Sequence, residues 1–174
     1  MNTSLVFTFI SKDRPGLVEA LSERIAEHDG SWQESRMIQL AGQFAGIGRL
    51  SLPATKLAAV RDSLSSLSGE GIIVSFDDSE SEPPAPLEQG SCQMHILGND
   101  RPGIVREVSR ALKLRKINVT ELNSNITSAP MTGEALFEAY VKADMPPGCD
   151  IDELEEALEE IAELLSIDID IEPK

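Results

Sequence analysis

The tetrapeptide Asp13-Arg14-Pro15-Gly16 lies between Phe9-Ile10-Ser11-Lys12 and Leu17-Val18. It recurs as Asp100-Arg101-Pro102-Gly103, between Ile96-Leu97-Gly98-Asn99 and Ile104-Val105, at an offset of 87 residues. On the N-terminal side of each copy, Leu5-Phe7-Phe9 and Cys92-Met94-Ile96 alternate with period two, the mark of a half-buried strand. On the C-terminal side, Leu17, Val18, Leu21 and Ile25, and likewise Ile104, Val105, Val108 and Leu112, fall at helical spacing. The chain thus builds one strand-to-helix corner twice.

The duplication extends outward from the corners. Glu34 falls on Glu121, and after a six-residue insertion Phe44 falls on Phe137. Two strand-like runs follow the first helix, residues 31–40 and 43–52, joined by Ala41-Gly42. Their counterparts, 118–127 and 135–143, are joined by the longer Ser-Ala-Pro-Met-Thr-Gly-Glu loop. A second helix is predicted from Leu57, Val60, Leu64 and Leu67, and from Ile151, Leu154, Leu158, Ile161 and Leu165. Each half closes on a strand, 72–76 or 167–171. The order βαββαβ, twice, predicts an α+β protein of two ferredoxin-like domains, each an antiparallel sheet with two helices on one face. Each core is small, so an uncovered sheet face or edge would gain by pairing with another copy of the fold, within the chain or across a dimer, and a homodimer is expected.

Charge marks the division. The net charge is −15, and residues 77–90 and 150–165 together carry 13 acids and no base. The first segment is Ser/Pro-rich and reads as a linker, giving domains at 1–77 and 91–174 with the linker at 78–90. The second is a helix whose outer face is solvated, with Asp150, Asp152 and Glu153 suited to its N-terminus. Direct nucleic-acid binding needs an array of cations, which this chain does not offer. No run approaches the ~20 apolar residues of a membrane span, and the N-terminus lacks a basic region ahead of an apolar one, so a cytoplasmic protein is expected. Cys92 and Cys149 have no metal spacing and read as reduced thiols. With two histidines, His28 and His95, and no nucleophile or phosphate-loop motif, neither an enzyme nor a cofactor is expected.

The candidate site is the corner itself. Pro15 and Pro102 suit a first helical turn, Asp13 and Asp100 a cap position, and Gly16 and Gly103 close approach of a ligand to the backbone. A plain helix start accounts for the same residues. The functional reading is that helix-start amides receive an anion such as an amino-acid carboxylate, with Leu17, Asn99 and Ile104 flanking. The ammonium would need acceptors, and Asn118, Asn123 and Asn125 provide them close to the corner if the third strand-like run lies beside the first. Ser31, Gln33 and Ser35 hold comparable places in the first half.

The stretch from Ser4 to Met37, the Gly42-Gln43-Phe44-Ala45-Gly46-Ile47 element and the segment from His95 to Leu122 together resemble the tandem ACT-domain proteins of the glycine cleavage system transcriptional repressor family. The resemblance spans nearly the whole chain outside the linker. It implies a sensor that binds small ligands beside the first strand–helix loop, at residues 13–17 and 100–104. It further implies glycine as ligand, and an output delivered by restraining a transcriptional activator through protein contact. A ligand-free regulatory subunit docked on a metabolic enzyme is the alternative.

Overall fold

The computed structural model describes residues 1–77 and 90–173. The linker assigned to 78–90 therefore lies outside the described residues, except for Gly90, which opens a strand. The chain divides into two compact units, Met1–Ala85 and Pro86–Lys174.

The first unit runs β1 (Asn2–Lys12), α1 (Leu17–Ala26), β2 (Ser31–Leu40), β3 (Gln43–Pro53), α2 (Leu57–Ser66) and β4 (Ile73–Asp77). The second runs β5 (Gly90–Asn99), α3 (Ile104–Leu114), β6 (Asn118–Ser128), β7 (Ala135–Met145), α4 (Ile151–Leu165) and β8 (Ile167–Pro173). Each sheet is antiparallel, in the orders β2-β3-β1-β4 and β6-β7-β5-β8. Both units are thus ferredoxin-like. A register irregularity falls at Trp32/Glu34 in β2 and at the corresponding Val119/Glu121 in β6.

Alternation drives the strands. Leu5, Phe7 and Phe9 turn inward onto Leu17, Leu21, Ile25, Val60 and Leu64 of the two helices. Cys92, Met94 and Ile96 do the same against Ile104, Val108, Leu112, Leu154 and Leu158. Burial of this kind contributes about 25 cal/mol per Å² of apolar surface and is the main stabilising term. The β2–β3 hairpin turns on Ala41 and Gly42, with φ of 50° and 77°. Two successive positive φ values match the right-handed twist of the flanking strands. Helix α4 begins as expected, since the Asp150 carboxylate accepts from the Asp152 and Glu153 amides at 3.0 and 3.5 Å. Arg115 closes α3 onto its neighbour by donating to the Glu153 carbonyl at 3.0 Å.

Candidate functional site

The two corners share one backbone geometry, and it is not the predicted one. Gly16 has φ 90° and ψ 0°, Gly103 φ 104° and ψ −7°, and these two residues, not the prolines, are the helix N-caps. Those angles belong to the third position of a type II turn, where glycine is favoured, with proline in the second position. Pro15 and Pro102 therefore lie outside the helices and preset the turn. Asp13 and Asp100 do not cap either, for neither helix start has a side-chain cap. Their backbone amides instead donate at 2.9 Å to the carbonyls of Gly42 and Ala135, tying each corner to its hairpin. The glycines serve a positive φ first and clearance second.

The first intrahelical bonds run from the Ala20 amide to the Gly16 carbonyl and from Glu107 to Gly103, both at 2.9 Å. The amides of the first turn ahead of them thus gain no partner from within the helix. Leu17 and Ile104 are buried in the core, so only their backbones can meet a ligand. Arg14 donates to the Glu70 carbonyl at 2.9 Å, which anchors the first corner to the approach to β4. Beside this corner is an open cavity of about 280 Å³, bounded by Asp13, Arg14, Gly16, Val18, Glu19 and Phe44. Arg101, Pro102, Asn99 and Asp100 are exposed at the second corner.

The corners differ in charge. A Cβ placed on Gly16 would lie 4.0 Å from the Glu19 carboxylate, whereas one on Gly103 would lie 3.5 Å from the Arg106 guanidinium. Glu19 and Arg106 occupy equivalent positions in the repeat. The second corner therefore adds a cation to the positive end of a helix and favours an anion, while the first sets a carboxylate there and weakens that attraction. Arg106 also pairs with Glu107 at 2.8 Å, which offsets part of its charge. The signal is in the sequence, since the 87-residue offset of the repeat sets Glu19 against Arg106.

The asparagines do not gather at the corner. Strand β6 is at the sheet edge with β7 between it and β5. Asn118 pairs with Asp144, which faces Ser91, eight residues along β5 from Asn99; at 3.2–3.4 Å per residue the separation is about 26 Å. Asn123 lies level with Tyr140 and donates to Glu121 at 2.8 Å. Asn125, level with Glu138 and Leu97, is the nearest of the three. The inferred ammonium acceptors are thus spread along an edge strand.

A second cluster occupies the helix-free face of the second sheet. The His95 and Tyr140 rings stack with centroids 4.6 Å apart, and the Glu138 carboxylate lies 3.0 Å from both His95 Nε2 and the Tyr140 hydroxyl. Hydrogen bonds first from His95 and then from Tyr140 hold Glu138 below its usual value, while the bond to Glu138 raises Tyr140. On the opposite face, burial pushes the Cys92 thiol up, away from reactivity. No helix among the described residues is long and apolar enough to cross a membrane.

A family model for the ACT domain matches residues 3–77. The first unit matches the ACT domain along almost its whole length. The second repeats its strand order and its corner. Over 153 residues it is 22% identical to the glycine cleavage system transcriptional repressor of Escherichia coli, covering 88% of this chain and 80% of that protein. Among solved structures, an unknown protein from Galdieria sulphuraria superposes with a TM-score of 0.86 at 27% identity, covering 100% and 99% of the two chains. A protein provisionally described as a glycine cleavage system transcriptional repressor superposes at 0.72 with 16% identity, over 100% of this chain and 98% of that one, a likeness of fold.

Proposed function

We propose that this tandem ACT protein is a regulatory, non-catalytic sensor of a small amino acid, glycine foremost. It acts in the cytoplasm as a homodimer and restrains a transcriptional activator of glycine cleavage genes by protein contact, without touching DNA. The observation that carries the ligand reading is the second corner, where uncapped first-turn amides and the Arg106 guanidinium converge beside Gly103. Both groups stabilise a carboxylate, and a helix N-terminus alone contributes about 0.3–1 kcal/mol. The choice of glycine and of a transcriptional output follows the likeness to the Escherichia coli repressor. An acidic chain of net charge −15 suits action through a partner. Ligand and partner are coupled only as far as the ligand binds the two regulatory states unequally. Calorimetric titration of the full chain with glycine, serine and larger amino acids is the test. Heat from glycine at millimolar concentration or below is expected, and silence from every amino acid in that range removes the sensor.

A further inference from the structure

The helix-free face of the first sheet carries an apolar row that crosses all four strands. Register places Ile38 opposite Ala45, Ala45 opposite Ile10, and Ile10 opposite Ile73. Directly paired residues of antiparallel strands point to the same face, so the four side chains stand side by side. Ile38, Ile10 and Ile73 are 56, 46 and 60% exposed, and Ile47 adds a fourth exposed isoleucine one row away. Beyond the row lie Lys12 at one end and Arg36, then the Glu34–Arg49 ion pair at 2.8 Å, at the other. An apolar centre with a polar rim is how protein interfaces are built.

We infer that two copies of the chain pair through this face, each row packed on its own image across a twofold axis. The inference rests on the homodimer part of the function proposed above and is independent of the ligand. The size fits: strands about 4.8 Å apart and rising about 3.3 Å per residue give faces that together bury roughly 1,000 Å², where specific interfaces begin. Charge selects the face. Two chains of net charge −15 repel, and they must meet where that charge is lowest. The first face sets Lys12, Arg36 and Arg49 against Glu34 and Asp77. The matching face of the second sheet sets Lys142 against Glu121, Glu138, Asp168, Asp170 and Glu172. Chemistry selects the occupant as well. The equivalent row of the second sheet reads Asn125, Glu138, Leu97, Asp168, which leaves another copy of the first sheet as the apolar match.

The test is sedimentation equilibrium of the full chain carrying Ile38→Lys, Ile73→Lys or both. Each substitution is expected to raise the dimer dissociation constant about tenfold or more, since it removes a buried isoleucine and sets a cation on its image; the double variant should be monomeric where the wild type is dimeric. Leu164→Lys, an exposed leucine on α4, should leave the dimer intact. Circular dichroism establishes folding, and because both isoleucines are more than half exposed, Ile38→Lys alone decides the matter if Ile73→Lys fails to fold. A wild-type dimer that survives folded Ile38→Lys unweakened overturns the face and leaves the homodimer standing. A monomeric wild type removes both and leaves the glycine titration to judge the sensor.

Discussion

The two halves of this chain fill the same core position by opposite means. In the first sheet Phe7 and Phe9 face Gly48 and Gly46, and a Cβ on those glycines would come within 2.6 and 2.8 Å of the respective rings. In the second, Met94 faces Val141 and Ile96 faces Ala139. One half sets a large ring against no side chain, the other divides the space between Met94 and Val141 and between Ile96 and Ala139, and all four of these residues are buried. Trp32 stacks edge-on to Phe7 at 5.6 Å, while Val119 at the corresponding place is partly exposed. Outside the core the halves part further, an apolar row on one open face and a charged one on the other. The fold constrains pair volume, not residue identity, and the exposed positions were left to specialise.

The largest expected effect follows from that pairing. Gly48→Val drives a branched side chain into the Phe7 ring and should destabilise the first unit by about 3 kcal/mol. Adding Phe7→Met, which reproduces the pair of the second sheet, should recover a substantial part, a coupling of about 1–3 kcal/mol. Trp32, the chain's one tryptophan, reports on this unit by fluorescence during urea unfolding. Simple additivity of the two substitutions would show that volume is not exchanged within the pair.

Next in size is the charge reversal at the corners. Arg106→Glu should weaken amino-acid binding by about tenfold, on the scale of ~1–4 kcal/mol for unit charges some 4 Å apart between water-like and surface dielectric conditions. Glu19→Arg should strengthen or create binding at the first corner, read as added stoichiometry by calorimetry. If Arg106→Glu binds glycine as the wild type does, the second corner is not the carboxylate site. These positions test the site more cleanly than the glycines, because any side chain at φ 90° or 104° strains the turn whether or not a ligand is present.

The strand and helix map was legible because each signal occurs twice, and Leu5-Phe7-Phe9 and Cys92-Met94-Ile96 reinforce one another. The Asp150 cap was legible because it is local chemistry. The corner was misjudged, since proline followed by glycine serves a helix start and a type II turn alike, and only backbone angles separate them. The asparagines are spread for a topological reason: the third strand of the half does lie beside the first, and this puts the strand that carries them at the sheet edge, a long-range consequence that local pattern does not encode. The apolar row was hidden for a related reason. Ile10, Ile38, Ala45 and Ile73 belong to four separate strands and become neighbours only through register.

The smallest effect concerns the one aromatic stack of the second open face. The hydrogen bonds from His95 and Tyr140 depress the Glu138 carboxyl in the folded state. A depressed carboxyl contributes stability above its unfolded value, and that contribution is lost as pH falls through the folded one, below the ordinary carboxylate range. His95→Phe keeps a ring over Tyr140 and removes the N–H. At pH 8 the variant should be slightly less stable than the wild type in chemical denaturation, and the gap should close as pH falls through and below the ordinary carboxylate range, as Glu138 becomes protonated in the folded state. A gap that does not narrow down to the lowest pH at which both stay folded would assign the contribution of His95 to ring packing. The charge-bearing face of the second unit would then be held by stacking, as the first unit's is by isoleucine, and the contrast between the two open faces would narrow to their outermost atoms.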